Sequence, residues 1–470
     1  MENNTNSTGA IDKEHIYELT SKINDCLHFD FGVKDLYHRM IFTACALVAE
    51  RYGAELESLR GSDYETLNAA IRSTLSDAIE ANASNNDKID ILLDEYSYVK
   101  MNTTENQKAI DDFIGWVVEI FDCINSNEWR GEDVMGILFN EFSRYKKKSD
   151  AGQVFTPEHI TDFMYRILGV TKDDRVLDAT CGSGGFLFKA MANMIQETGG
   201  VDDDKTRDIK SEQIYGIEFD RDVYALACAN MLIHDGGNTD NLVQMDARTE
   251  EAGEWIASKH ITKVLMNPPY ENKYGCMTIV ENVLDHVPSG TVCGFILPEK
   301  KIEKTSKKQM KRILSNHKLT KVIKMPEDLF FGVGVTTSIF VFEAGVPQNG
   351  EKFFACYMES DGLIVVKNKG RHDVHGKWPE IEKHWVNVMA NMSGDDSCQL
   401  VDPAEHLSYQ TPPKPFVIRE EDFAKTALDY LLWQKKVNAA ALREKMAQHV
   451  MYSAEVVSAD DEQITLKIRK

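Results

Sequence analysis

Asp178-Ala179-Thr180-Cys181-Gly182-Ser183-Gly184-Gly185-Phe186 closes a short apolar segment and opens a stretch with helical spacing. Glycines let the backbone turn sharply and come close to a ligand, and the helix expected over residues 185–197 aims its N-terminus back at the turn. The loop is not the GxGxxG of dinucleotide enzymes, because the third glycine is missing and an acid opens it. Working outward, strands are expected at 175–178, 213–217, 241–244, 264–266, 291–297, 321–324 and 337–343. Helices fit between them at 185–197, 222–235 and 279–287. That alternation predicts an α/β fold with a doubly wound, mixed but mostly parallel sheet. The acidic insert 201–210 belongs outside it, as a loop.

Upstream the grammar is different. Residues 11–148 carry apolar side chains at helical spacing, as in Leu36, Met40, Ile41, Ala44, Leu47 and Val48, and again in Ile110, Phe113, Ile114, Val117, Ile120 and Phe121. An all-helical N-terminal domain over 1–150 follows. A polar linker leads to Phe155-Thr156-Pro157-Glu158, where Thr156 and Pro157 suit the N-cap and first turn of a helix over 157–168. The α/β domain then spans 151–370. Beyond it, 371–470 reads as a mainly helical extension for assembly, helical over 423–451 and strand-like over 456–468.

With 43% hydrophobic and 27% charged residues and no long apolar run, the 470-residue chain has the composition of a soluble globular protein. Residues 1–10 resemble neither a signal nor a transit peptide, so the expectation is cytoplasmic, with no membrane partner. Nine cysteines without CxxC pairs read as reduced thiols, with no metal site expected. A net charge of −22 argues against gripping nucleic acid with the whole surface. The charge is uneven: residues 1–150 hold 28 Asp/Glu against 15 Lys/Arg, whereas 300–324 hold ten Lys/Arg and one acid, Glu303. Phosphate contacts belong to that basic stretch or to a partner; otherwise it is a solvated helix face followed by an edge strand.

The expected strand ends carry ligand-type residues. The first ends at Asp178 before the glycine loop. The second ends in Gly216-Ile217-Glu218-Phe219-Asp220, where a carboxylate can accept from ribose hydroxyls. The third ends at Met245-Asp246-Ala247-Arg248, placing an acid where an adenine amine could donate to it. The fourth ends at Asn267-Pro268-Pro269-Tyr270. Two prolines cannot continue a strand ladder, so a stiff turn holds an amide and an aromatic ring at its tip. Such a turn suits a flat, conjugated amine.

In this order, Phe155-Thr156-Pro157, DATCGSGGF, GIEFD, MDA and NPPY resemble the amino-methylating DNA methyltransferases. The chain is most similar to the modification (M) subunit of type I restriction-modification systems. The later stretch 330–338 (FFGVGVTTS) and the helical, catalytic and C-terminal layout fit as well. The resemblance implies a sheet of the S-adenosylmethionine-dependent methyltransferase type. It implies a donor site formed by Phe155, Thr156, Pro157, Asp178, Thr180, Gly182, Ser183, Gly184, Glu218, Asp246, Ala247 and Asn267. Thr156 and the glycine loop would hold the methionine moiety, Glu218 the ribose and Asp246 the adenine. Asn267, Pro268, Pro269 and Tyr270 would form the catalytic turn: the Asn267 side chain and Pro268 carbonyl accept from the substrate amine, and Tyr270 stacks on a base flipped from the duplex. Asn rather than Ser at 267 favours adenine as target. Phe330 and Phe331 are candidates for a second stacking ring or for core packing. S-adenosylmethionine is the implied cofactor, without a metal. DNA, a specificity (S) subunit and a second copy of the chain are the implied partners, together with a restriction (R) subunit where the system carries one.

Two other function classes fit parts of this pattern. A methyltransferase of protein glutamine or an RNA amine could use the same turn, although the large helical flanks and the stretch 330–338 speak against it. A non-catalytic assembly scaffold could keep the fold, but an intact NPPY counts against that.

Overall fold

Nine strands of the computed structural model form one twisted sheet. The structure describes residues 13–81, 86–102, 105–125, 133–142, 156–199, 204–234, 241–270, 275–330, 335–366, 370–412, 418–459 and 464–468. The strands are β1 (Val176–Asp178), β2 (Ile214–Glu218), β3 (Leu242–Gln244), β4 (Lys263–Met266), β5 (Val292–Pro298), β6 (Lys318–Lys324), β7 (Thr337–Glu343), β8 (Phe353–Tyr357), β9 (Ile364–Val366), β10 (Gly370–His372) and β11 (Cys398–Val401). Their order in the sheet is β11-β8-β6-β7-β5-β4-β1-β2-β3, with β9 and β10 forming a separate antiparallel pair. β7 runs antiparallel to β5 and β6, and β11 antiparallel to β8; the other neighbours are parallel. The sheet is thus doubly wound and mixed, as the strand pattern implied.

Alternation along the strands sends side chains to two buried faces. Val176, Leu265, Ile296, Ile323 and Ile339 pack with helices Glu158–Ile167, Gly185–Glu197 and Trp378–Asn391. Leu177, Val264, Met266, Phe295, Leu297 and Phe340 pack on the other side with helices Glu250–Ser258, Cys276–His286 and Lys307–Asn316. Gly216 in β2 allows one close approach: a Cβ there would meet Leu187 Cδ1 and Leu242 Cδ2 at 2.6 Å.

The N-terminal region is helical throughout its described length, with helices Lys13–Phe29, Leu36–Arg51, Tyr64–Ala81, Asn86–Ser97, Gln107–Ile124 and Val134–Phe142. It shares a core with the sheet through helix Arg221–Ile233, which is buried from Val223 to its end. Ala225, Leu226, Ala229, Leu232 and Ile233 join the helical core, while Tyr224, Ala227, Cys228 and Met231 face the sheet layer. Residues 1–410 form one compact unit and 411–470 a second. The boundary expected at 370 therefore falls inside the first unit, because helix Trp378–Asn391 and β11 complete the layers around the sheet.

Three further expectations are corrected. β6 is no edge strand; it lies between β7 and β8, and Val322, Ile323 and Lys324 are buried there. The acidic insert is not a loop over its described part, since Asp204–Glu212 is a helix anchored by buried Thr206 and Ile209 one turn apart. Thr156 does not cap the following helix: its N-cap is Pro157, and no side chain caps it.

The second unit contains helices Glu420–Gln434 and Ala439–Ser453 and a hairpin of β12 (Ala454–Ala459) and β13 (Ile464–Ile468), where one strand was expected. Helix Glu420–Gln434 buries none of its residues. No helix among the described residues is long and apolar enough to cross a membrane.

Candidate active site

β1, β2, β3 and β4 run parallel, so their carboxyl ends lie along one sheet edge. Strand order reverses between β1 and β4, the crevice where open α/β sheets take ligands. After β1 the chain turns at Gly182 and Gly184, both at positive φ (58° and 86°), a conformation that costs glycine least. Cys181 N donates to Ile217 O at 2.9 Å and Gly184 N to Cys181 O at 2.8 Å. Helix Gly185–Glu197 begins at this turn, leaving its N-terminus directed at the crevice.

Glu218, at the end of β2, ties the loops together. Its Oε2 accepts from Gly182 N and its Oε1 from Phe219 N and Asp220 N, each at 2.9 Å. One lone pair of Oε2 is left for a ligand hydroxyl. Burial holds its pKa above the ordinary carboxylate value, against the pull of those three N–H groups. Next to it Phe219 is 61% exposed, an aromatic face at the ligand edge. Asp178, buried below the loop, accepts from Thr180 N at 3.0 Å. Burial pushes its pKa up to about 8, and Glu218 adds to the shift. The Cys181 thiol is likewise driven well above its usual range by burial, which suits packing rather than nucleophilic attack.

At the end of β4 the Asn267 amide is fixed from both sides. Its Nδ2 donates to Thr156 Oγ1 at 3.0 Å across 111 residues of sequence. Its Oδ1 accepts from Tyr270 OH at 2.8 Å and retains a second lone pair. With the nitrogen committed to Thr156, the oxygen carries the remaining acceptor capacity of the amide. Lys301 Nζ donates to Tyr270 O at 3.1 Å, steadying the turn from the end of β5. Phe330 is buried in the core and meets Tyr270 edge to face, with centroids 6.3 Å apart.

Sequence-predicted residues therefore converge in three groups: Thr156 with Asn267 and Tyr270, Gly182 with Glu218, and Phe330 behind Tyr270. Asp246 already has an occupant: Arg248 engages Oδ1 through N and Nε at 3.0 and 2.8 Å and Oδ2 through Nη2 at 2.6 Å. That partner holds its pKa below the usual carboxylate value. Ala247 is buried beside it. Phe155 and Phe331 lie outside the described residues. Sequence reasoning passed over Arg248, Phe219 and Lys301. Arg248 was legible as a cation two residues from an acid at a turn, Phe219 as an aromatic inside GIEFD, and Lys301 had no local signal.

Residues 131–288 match the family model described as N-6 DNA Methylase. The chain is 31% identical over 381 residues to the Type II restriction enzyme and methyltransferase RM.BcgI of Heyndrickxia coagulans, a match covering 75% of this chain and 58% of that protein. It is 23% identical over 319 residues to the Type I restriction enzyme StySJI methylase subunit of Salmonella typhimurium, covering 63% and 59%. The chain thus spans somewhat under two thirds of the length of these curated relatives. A solved chain of a type I R-M system superposes with a TM-score of 0.61 at 15% identity, covering 94% of this chain and 99% of that one, so the likeness of fold extends well beyond the nine-stranded sheet. Residues 131–288, which carry the glycine loop and the turn at Asn267–Tyr270, are thus similar to the N-6 DNA methylase family.

Proposed function

We propose that the chain transfers a methyl group from S-adenosylmethionine to the exocyclic N6 amine of adenine in duplex DNA, as the modification subunit of a type I complex whose specificity subunit chooses the site. The observation that carries this reading is the orientation of Asn267. With Nδ2 held by Thr156, Oδ1 is an acceptor at the switch point of the sheet beside the glycine loop, and the Pro268 carbonyl of the same turn serves as the second acceptor in this reading. An adenine amine is a poor nucleophile because its lone pair is conjugated with the ring. Two acceptors held in place draw it towards tetrahedral geometry and align it, which is where positioning lowers a barrier most. In this reading Tyr270 stacks on the extruded base once its hydroxyl shares or releases Oδ1.

The donor pocket fits the same reading. The left-handed glycines, the helix N-terminus at Gly185, the remaining lone pair on Glu218 and the exposed Phe219 ring suit a zwitterionic, ribose-bearing, aromatic ligand. When bound, S-adenosylmethionine supplies an electrophilic methyl carbon on a sulfonium. Asp246 accepts from the adenine amine through the Oδ2 lone pair that Arg248 leaves open. Phosphate contacts from this chain fall to Lys304, Lys307, Lys308 and Lys311, which are exposed. Two of them sit in the first turn of a helix, where cations oppose the macrodipole and gain from a bound anion.

Transfer of tritium from labelled donor into duplex DNA, with protein and RNA as parallel acceptors, tests the reaction. Asn267→Ala is expected to abolish transfer while donor binding stays near its original strength. Transfer into protein or RNA instead of DNA would sink the substrate assignment. A second reading keeps the chemistry and changes the assembly to a type II enzyme, which the higher identity to the Heyndrickxia protein favours. Site-specific transfer that depends on an added type I specificity subunit supports the first reading; site-specific transfer by the chain alone contradicts it.

A further inference from the structure

Asp133 opens the last helix of the N-terminal region, Val134–Phe142, and is buried against the glycine loop. Its Oδ1 accepts from Gly136 N and from Asn230 Nδ2, both at 3.0 Å. Asn230 is fully buried, and the same nitrogen donates to Ser183 O at 3.0 Å. Two amide hydrogens thus join a carboxylate of the helical region to the carbonyl between Gly182 and Gly184. Glycines make the approach possible: a Cβ on Gly136 would lie 2.6 Å from Asp133 Oδ2, and one on Gly185 would lie 3.1 Å from the same oxygen. Asp133 therefore abuts the first turn of helix Gly185–Glu197, where negative charge is favoured.

Ser183 C=O and Gly184 N–H belong to one peptide plane. That plane is pinned at both ends, the carbonyl by Asn230 and the N–H by Cys181 O. With a glycine on its C-terminal side, a peptide released at the carbonyl end can rotate at little steric cost.

We propose that Asp133 is a positioning residue for the methyl donor: through Asn230 it fixes the Ser183 carbonyl, and with it the paired left-handed turns at Gly182 and Gly184 that receive the ligand. The proposal rests on reading this loop as the donor site. It makes donor affinity depend on a residue of the helical region whose hydrogen bond towards the loop runs through Asn230.

The test is equilibrium binding of S-adenosylmethionine to the full chain by calorimetry, with thermal unfolding measured on the same samples. Asp133→Ala is expected to weaken donor binding roughly tenfold, the effect of a lost buried hydrogen bond. Asp133→Asn keeps an acceptor oxygen facing Asn230 and is expected to restore binding. Asp63→Ala removes an exposed acceptor at the start of helix Tyr64–Ala81, away from the glycine loop, where Asp63 accepts from Thr66 N at 2.9 Å. It is expected to lower the unfolding temperature without changing donor affinity, which separates positioning from general destabilisation. Asn230→Ala should reproduce the loss, and the double variant should lose no more than either single one. Original affinity in Asn230→Ala overturns the proposal whether or not Asp133→Ala folds, as does full additivity in the double variant or a failure of Asp133→Asn to rescue. Absence of donor binding in the unaltered chain overturns the donor reading itself.

Discussion

Thr156 holds the amide of Asn267 through its hydroxyl, and only one orientation of that amide offers Oδ1 to an incoming amine. Thr156→Val keeps the volume and removes the acceptor, so the amide is free to turn. The expected result is a fall in kcat of about tenfold to a hundredfold with a smaller change in donor affinity, since a misplaced group near the reacting atoms is costly. A larger effect on donor affinity than on kcat would return Thr156 to a purely donor-binding role. Asp178 supplies a second residue-scale expectation, through pH. Burial keeps it protonated up to about pH 8, whereas an unfolded aspartate ionises near pH 4. Between those values the native state holds a proton that the unfolded state has released, so stability falls as pH rises across that window. Asp178→Asn removes the titration and keeps the acceptor for Thr180 N. Its gain in Tm over the unaltered chain is expected to be larger near pH 8 than near pH 5; an equal gain at both would contradict the assignment. Residue identities at the strand ends were legible because strand-end acids, Gly turns and NPPY are local patterns. Their partners were not: Thr156 meets Asn267 across 111 residues, and no local pattern reports a contact of that range.

Helix Arg221–Ile233 is the element on which the helical region and the sheet meet. Its two faces serve two cores, which explains why its sequence is apolar nearly all round and carries little amphipathic signal. Leu226 is fully buried in the helical core, and Leu226→Ala is expected to cost about 2–5 kcal/mol. Because the element is shared, helical content and donor binding should be lost in one thermal transition, at a lower temperature than in the unaltered chain. Two separate transitions would show that the regions unfold independently. Element types were readable where apolar runs or helical spacing stood between clear turn signals, as in β1 to β7 and the N-terminal helices. β8 and β11 escaped for opposite reasons. β8 is buried along most of its length and shows no alternation, while β11 is short and half-buried at Cys398 and Gln399, with Leu400 exposed in place of a clear apolar face. The helix Asp204–Glu212 escaped because its charge outweighs its two buried anchors.

At the scale of the whole molecule, charge and apolar exposure suggest the same need for a partner. A net charge of −22 opposes unassisted binding to duplex DNA, and the uncommitted lysines at 304, 307, 308 and 311 form a small surface against it. The second unit meanwhile exposes Phe423, Leu431 and Trp433, each more than half accessible, on a helix that buries nothing. Large exposed apolar side chains concentrated on one element mark an interaction site, and Trp is the residue type most often dominant in one. Under the proposed function, this helix is the expected docking element for a specificity subunit. Replacing Phe423, Leu431 and Trp433 together by Ser changes only exposed positions, so the Tm of the first unit and its donor affinity are expected to stay unchanged. Co-elution with the specificity subunit should be lost, and site-specific methylation with it, while the donor pocket remains occupied at its original affinity. A triple variant that still forms the complex at the original affinity would move the docking site off this helix. A variant that loses donor binding as well would show that the second unit supports the catalytic unit itself rather than the assembly.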